Sequence, residues 1–446
     1  MSYTDIEMQS VKGRRLLCIL VVILALNNAE FSISGLALQD IKVDLDLSDT
    51  ELGLLTGIVF ALFNSLMGVL IARWADHGNR VVVIAVTTGI WATMVVLSGL
   101  ASRFPEFLLC RVGVAIGGAG CIPPALSLIS NSFARSDRPK AVAIYWLGPP
   151  LGLALGYFAA GWVNQLFGWR TAFLSLGLAG LALAALASVS LKEPRTRLTS
   201  APQKLQEKSV ESGKASAKEV LEILWTSRTF RKVVMAFSAM SIFGSGITQW
   251  QATFFVRNFN LQTGELGTWF AAIFGLGGLL GSYCGGSLTQ RYAESNERKQ
   301  LRGVALAFAF YGIVTAIAFV VPNQYAAFAL LAIANLASSA TNGPLFSTIQ
   351  ILVPDRMRAT SVALFTLFSV LIGMGLGPLS VGLLSDGLSN ILGSEALRFA
   401  LLIMCPGYLL GGWQIWQASN CVGRDIANVN PAIGEPAEEG VGELTW

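Results

Sequence analysis

Glu30 and Arg111 are the two ionisable side chains set well inside long apolar runs; every other charge can be placed in a loop, a tail or a helix end. A charge inside a bilayer costs free energy, so its default reading is functional. The chemistry open to such a pair is narrow. A carboxyl group can take up and release a proton, and a guanidinium can hold an anion. Asn27, Glu30 and Ser34 lie at i, i+3 and i+7, along one helix stripe. Counted from Arg15 at about 1.5 Å per residue, Glu30 lies roughly 22 Å into a hydrocarbon core about 30 Å thick. Arg111 follows Pro105 and Glu106 by about one to two turns, which puts it at comparable depth. Two opposite charges buried among apolar spans read as the core of a transporter.

The elements that must carry this pair are transmembrane helices. The chain is 53% hydrophobic and 13% charged, with a mean hydropathy of +0.60. A soluble globular chain has about twice that charged fraction. One crossing needs about 20 apolar residues. Twelve such stretches recur, at 16–39 (interrupted by Glu30), 53–74, 81–102, 107–131, 141–164, 171–191, 233–256, 266–289, 303–321, 325–345, 359–384 and 399–419. Residues 303–354 hold no charge and accommodate two spans, with a turn at Pro322-Asn323-Gln324. An even number of spans puts both termini on one side. Of the 31 Lys and Arg residues, 25 fall on that side and five on the other, namely Lys42, Arg103, Arg170, Arg257 and Arg398. The positive-inside bias therefore predicts cytoplasmic termini and a multi-pass protein of the plasma or inner cell membrane. The net charge of +4 reflects this asymmetry, and no nucleic-acid partner is expected. No cleavable signal peptide is evident, since the first apolar run is too long for one. The six cysteines are scattered without a CxxC pair and read as small apolar packers.

A polar Ser/Lys/Glu/Gln segment divides the chain. The expected organisation is a six-helix bundle over 1–195, a cytoplasmic linker over 196–231, a second six-helix bundle over 232–420 and a cytoplasmic tail over 421–446. Ser216-Ala217-Lys218-Glu219 has capping-box spacing and predicts a short surface helix ahead of the seventh span. The halves echo each other. The fifth span of the first half contains Leu147-Gly148-Pro149-Pro150-Leu151, and that of the second contains Leu376-Gly377-Pro378-Leu379. Gly148, Gly152 and Gly156, and again Gly373 and Gly377, repeat every four residues, a spacing that allows close helix approach. Gly148, Pro149, Gly152, Gly377 and Pro378 are thus the expected packing residues. Repeated halves place a binding site at their interface near the midplane.

These features resemble the major facilitator superfamily. The resemblance rests on the Asp76…Arg80 loop after the second span, Arg111 followed by Gly117, the Gly-Pro motif of the fifth span and Glu193-Pro194-Arg195 after the sixth. Within the superfamily the N-terminal half is most similar to the Spinster-like branch, through LSDTELGLLTGIVFALF from Leu47, IARWADHGNR from Ile71, LLCRVGVAIGGAG from Leu108 and GWRTAF from Gly168. That branch includes lipid, sphingolipid and organic-anion carriers. The resemblance implies an all-α membrane protein of twelve helices in two six-helix pseudo-repeat bundles, working by alternating access and often coupled to protons. Glu30-Phe31 stands where the branch has Asp-Arg, and Gly117-Gly118-Ala119-Gly120 where it has Gly-Glu-Ala-Gly. His77 and Gln290 also depart from its loop motifs. With the fourth-span acid missing, Glu30 is the main candidate for proton coupling.

The superfamily places helices 1 and 4 side by side and lines its cavity with helices 1, 4, 7 and 10. A Glu30–Arg111 pair is then expected, with Asn27, Ser34, Gln249, Trp250, Asn335 and Asn342 as candidate substrate contacts. Hydrogen bonding between helices is the competing role for each polar one. The resemblance also makes Asp76 and Arg80 a gate closing on helix 11 near Arg358. Burial favours the protonated carboxyl and a nearby cation the ionised one. Glu30 would thus bind a proton while an anionic substrate occupies Arg111, and release it when Arg111 returns; a static pair orienting two helices is the alternative.

The leading reading is a monomeric secondary active transporter that moves a small or amphipathic organic molecule, an organic anion such as a carboxylate, with protons. An exporter or exchanger of lipids or drugs is the alternative, and a non-transporting sensor a more distant one. An enzyme is not expected: with one histidine there is no HExxH helix, and no nucleophile–base set or metal cluster is visible. No cofactor or metal is expected, and the absence of a Walker A motif argues against ATP-driven pumping.

Overall fold

The computed structural model describes residues 3–134, 137–191, 193, 228–293, 296–341, 343–345, 348 and 370–429. Asn342, Arg358, the expected surface helix at Ser216 and most of the linker lie outside these residues. All regular elements among them are helices. Hydrocarbon offers backbone groups no water, so each crossing segment must satisfy its own hydrogen bonds.

The N-terminal half comprises α1 (Tyr3–Leu36), α2 (Leu38–Leu45), α3 (Asp49–Thr56), α4 (Ile58–His77), α5 (Arg80–Leu100), α6 (Phe104–Gly118), α7 (Ile122–Ser132), α8 (Arg138–Tyr145), α9 (Gly148–Phe167) and α10 (Trp169–Ser190). The C-terminal half comprises α11 (Arg228–Phe259), α12 (Thr263–Phe270), a π-helical turn (Ala271–Leu276), α13 (Gly277–Ala293), α14 (Glu297–Val320) and α15 (Gln324–Ser339). A second π turn (Val370–Met374) leads into α16 (Gly375–Leu392), followed by α17 (Ala396–Met404), α18 (Pro406–Ser419) and α19 (Val422–Val429). Helix starts follow local chemistry. Ser48 and Glu51 form a reciprocal capping box at α3, and the side chains of Asn79, Asn296 and Asn323 accept from backbone N–H groups at α5, α14 and α15.

Eleven helical stretches among the described residues are long and apolar enough to cross a membrane. The last, Leu371–Ser419, has 49 residues, about twice the length of one crossing. It is interrupted at a 3₁₀ turn, Gly393–Glu395, where Gly393 has φ +54°. Several runs that read as continuous spans are broken. α3 gives way to α4 at Gly57, with φ −102° and ψ −107°. α6 gives way to α7 across 119–121, between a glycine pair and Pro123-Pro124, and α8 to α9 across 146–147, just before Pro149-Pro150. Hydropathy registers apolar length and is blind to these interruptions. Residues 228–231, expected in the linker, already belong to α11. The segment expected to be a tail begins with α19, whose Val422 and Ile426 are buried and whose Asp425 Oδ2 accepts from Thr229 N at 2.7 Å.

In each half the fifth span packs backbone-close against the first. A Cβ on Gly152 would lie 2.1 Å from Ala25 O of α1, and one on Gly156 2.6 Å from Ala29 Cα. Gly148 lies against the Leu24 side chain, where a Cβ would stand 3.0 Å away, and Pro149 occupies the first turn of α9. In the second half a Cβ on Gly377 would lie 2.4 Å from Ile242 O, and buried Pro378 follows it. Gly152→Val must therefore push α9 off α1. It is expected to lower the yield of monodisperse protein at least tenfold on size-exclusion chromatography, as overpacking of several kcal/mol does. Gly89→Val, with nothing within 4 Å of its Cβ position, is expected to leave the yield unchanged.

The halves meet at one end of the bundle, the end bearing Asp49 and Arg257. There α3 lies against α16, where a Cβ on Gly53 would stand 2.6 Å from Pro378 O and one on Gly382 2.3 Å from Asp49 O. On the opposite flank α9 lies against α12, where a Cβ on Gly161 would stand 2.4 Å from Thr263 O and one on Gly267 2.3 Å from Tyr157 O. Two glycine-lined seams thus close this end.

Candidate functional site

The centre of the bundle holds a three-residue polar cluster. Glu30 and Ser34 project from α1 one turn apart, and Arg111 comes from α6; they are 3%, 4% and 4% exposed. Arg111 Nη1 donates to Glu30 Oε1 in an ion pair and to Ser34 Oγ at 3.1 Å. Ser34 Oγ donates to Glu30 Oε1 at 2.6 Å. The Phe60 ring of α4 lies 5.5 Å from Arg111 Cζ. Arg111 Nε is buried without a hydrogen-bond partner among the described residues. A buried guanidinium with an open donor can take another acceptor.

Asn27, one turn from Glu30, is half-buried and lies against Gly118; a Cβ there would stand 3.1 Å from Asn27 Nδ2. Gly118 is the position at which the resemblance expects an acid, so α1 here faces a missing carboxylate with an amide. Gln249 of α11, in the other half, packs on α1 at Gly35. It is 1% exposed, its Nε2 has no partner among the described residues, and a Cβ on Gly35, the residue after Ser34, would lie 3.9 Å from that atom.

Other expected contacts are placed elsewhere. Trp250 is fully buried and its Nε1 donates to Pro378 O at 2.9 Å, so its polar edge is engaged in helix packing. Asn335 Nδ2 donates to Ile273 O at 2.7 Å, inside the π turn beside α12. At the far end of the bundle Asp76 is exposed and Arg80 is buried. Arg80 N donates to Glu193 Oε2 at 2.6 Å, and its guanidinium lies 4.0 Å from Glu193 Oε1 and 3.4 Å from Ser127 O. These partners all belong to the N-terminal half.

The closed end carries a second polar centre that the sequence reading passed over. Asp49, 2% exposed at the start of α3, is gripped from both halves. Arg257 of α11 binds it through two bonds of 2.7 and 2.8 Å, Lys42 of α2 at 2.5 Å, and Ser385 of α16 at 2.6 Å. Gln39 Oε1 accepts from Arg257 Nε at 2.6 Å. Asp386 of α16 caps α3 from across the seam, accepting from Asp49 N at 3.2 Å, Thr50 N at 2.7 Å and Thr50 Oγ1 at 2.6 Å. An acid there meets the positive end of the helix. A cavity of 290 Å³ opens over these residues. Lys42 and Arg257 read from sequence only as loop charges that report topology. The signal that could have found this centre was the Ser48…Glu51 capping box, which sets Asp49 on a helix's first turn.

The chain matches the family model of the Major Facilitator Superfamily over residues 20–378. It is similar to a protein described as an MFS-type efflux pump from Mycolicibacterium smegmatis, 31% identical over 412 residues that make up 92% of this chain and 93% of that one. It is 25% identical to Protein spinster homolog 1 of Xenopus tropicalis, over 86% of this chain and 76% of that one. Among solved structures, it is similar to a bacterial homolog of the human lysosomal transporter Spinster in an inward-facing, unoccupied conformation. The TM-score is 0.79 at 27% identity, covering 93% of this chain and 98% of that one.

Proposed function

We propose that this chain, which belongs to the major facilitator superfamily and is a Spinster-like transporter rather than an enzyme, carries an organic anion together with a proton. The observation that carries this reading is the buried Glu30–Ser34–Arg111 cluster; Gln249 of the other half packs on α1 at Gly35. Glu30 is the proton site and Arg111 the anion site. While Arg111 is bound to Glu30 it neutralises the carboxylate. When a substrate carboxylate takes Arg111, Glu30 is left buried without its cation, and taking a proton removes that penalty. Proton and anion then cross together, with no net unpaired charge in the low-dielectric centre. The open Nε of Arg111 and Nε2 of Gln249 supply donors for the arriving anion, and Phe60 supplies an apolar wall for its body.

The working topology is twelve spans with both termini cytoplasmic, in the plasma or inner cell membrane, acting as a monomer. The length of Leu371–Ser419 and the Lys/Arg asymmetry support it. In that topology the closed end faces outward, and the Asp49 centre is the outer gate.

The test is flux into proteoliposomes for a panel of carboxylates and lysolipids, with and without an inward proton gradient. Accumulation of a carboxylate only when the gradient is present is the expected result. Flux that ignores the gradient would instead fit an exporter or exchanger of lipids or drugs. That second reading is favoured by the similarity to a protein described as an efflux pump.

A further inference from the structure

Among the described residues, π-helical turns occur at two places, Ala271–Leu276 and Val370–Met374. Both lie in the C-terminal half, and each adjoins one of the two seams that close the bundle. The first follows α12, and a Cβ on Gly275 within it would stand 2.4 Å from the Ala154 side chain of α9. The second runs directly into α16, whose Gly382 and Pro378 meet α3. Each turn therefore sits at a seam: the first packs on α9 itself, and the second is followed directly by Gly375, whose carbonyl oxygen would stand 2.7 Å from a Cβ on Gly57 of the opposite half.

A π turn widens the helix and leaves backbone carbonyls poorly matched to their usual donors. The second has a covalent cause: Pro378 has no N–H to give to Met374 O and crowds it. In both turns a side chain from a neighbouring helix of the same half supplies a donor. Asn335 Nδ2 of α15 donates to Ile273 O at 2.7 Å. Ser245 Oγ of α11 donates to Gly373 O at 2.6 Å. The two turns thus share one construction, a weakened helix with a polar clamp on the carbonyl inside it. Glycines allow the neighbours to close on them: a Cβ on Gly373 would stand 2.2 Å from Ser241 Cβ, and one on Gly277 3.2 Å from Asn335 Nδ2.

We infer that the two π turns are the hinges at which the seam helices of the C-terminal half bend when the closed end opens, and that Asn335 and Ser245 are positioning residues that hold these hinges in the closed-end conformation. The inference rests on the alternating-access reading of the chain and not on the identity of its substrate or coupling ion. It gives Asn335 a role other than the substrate contact expected from sequence. Opening must carry α12 off α9 and α16 off α3, and a helix bends most easily where its ladder is already interrupted. Each clamp bond is present in the closed-end state; its loss tilts the equilibrium toward the opened one.

The experiment uses the full chain with its six native cysteines replaced and a single Thr263→Cys, in detergent without substrate. Thr263 is buried in the α9–α12 seam, with Oγ1 3.1 Å from Gly161 O. Maleimide alkylation there proceeds through the opened seam, so its rate follows the opened population. Asn335→Leu and Ser245→Ala are each expected to raise the rate about fivefold, the equilibrium worth of one ordinary hydrogen bond. Asn335→Gln, which keeps an amide donor, is expected to stay near the parent rate. Rates unchanged or lowered in Asn335→Leu and Ser245→Ala would overturn the inference, as would Asn335→Gln reacting as fast as Asn335→Leu. A residue acting only as a substrate contact would not move a rate measured without substrate. Failure of proton–anion symport in the flux experiment would leave this result untouched.

Discussion

Glu30→Gln is expected to abolish gradient-driven accumulation while leaving substrate exchange in place. Glutamine keeps the shape and one hydrogen-bonding oxygen, so Ser34 and Arg111 retain a partner, but it cannot take up a proton. With one proton per monovalent anion, a gradient of two pH units supports accumulation of about a hundredfold, since each unit is worth about 1.36 kcal/mol per proton. The variant is expected to bring that ratio to about one. Counterflow of labelled substrate against unlabelled substrate, without a gradient, should persist within about threefold of wild type. Accumulation that survives in Glu30→Gln would assign the carboxylate a structural role, holding α1 to α6. Arg111→Ala tests the other half of the pair. It strands a carboxylate that is 3% exposed, with Ser34 as its remaining partner in the cluster. Breaking a buried pair in this way costs about 3–5 kcal/mol. The double variant Glu30→Gln/Arg111→Ala removes the stranded charge and is expected to recover much of the thermal stability lost in Arg111→Ala. If the double variant is less stable than Arg111→Ala, the cost lies in lost packing against Phe60 and not in the uncompensated charge.

Asp49→Asn is expected to open the closed end. The carboxylate receives two bonds from Arg257, one from Lys42 and one from Ser385, and it joins α3 and α2 of one half to α11 and α16 of the other. Truncating one partner of a buried, hydrogen-bonded charge pair costs about 2–5 kcal/mol. An equilibrium between closed and opened ends would then shift by about thirtyfold or more. Spin labels at Val43→Cys and Ile391→Cys, both highly exposed and on opposite halves, report that equilibrium as a distance distribution. Wild type is expected to show mainly the short distance and Asp49→Asn a dominant long one. Arg257→Gln should act alike, and Asp49→Asn/Arg257→Gln should shift the distribution no further than either single variant. Groups that act as one pair give such non-additive effects. Additive shifts would mean that the two residues close the end independently. The Asp386 cap on α3 is untouched by these changes, so the seam keeps one of its two polar fastenings.

Much of the fold was legible because its causes are local. Apolar stretches long enough to cross hydrocarbon stand in the sequence as composition. The turn at Pro322-Asn323-Gln324 is written in the residues that form it: α14 ends at Val320 and α15 begins at Gln324, with Asn323 as its cap. The glycine spacing of Gly148, Gly152 and Gly156 follows from the helical repeat, and all three face α1. Glu30 and Arg111 were conspicuous because a charge in an apolar run is visible without any structure. The Glu30–Arg111 pair was expected only through the family resemblance, which sets helices 1 and 4 side by side; from the residues themselves, what each polar group is bonded to was not legible. Glu30 and Arg111 are 81 residues apart, and Asp49 and Arg257 are 208 apart. No periodicity or propensity relates residues at such separations; helix packing does. Asn335 and Trp250 read as polar and aromatic cavity linings, yet the tertiary structure turns one onto a π-turn carbonyl and the other onto Pro378 O. The π turns themselves arise where Pro378 and clustered glycines weaken a helix and a neighbouring side chain takes up a carbonyl within the turn. By itself the sequence determined that this is a membrane transporter of helical spans with two charges at its core. Only the tertiary structure decided that Asp49 and Arg257 join the two halves, because an ion pair across helices depends on how the helices pack and not on the residues beside each member.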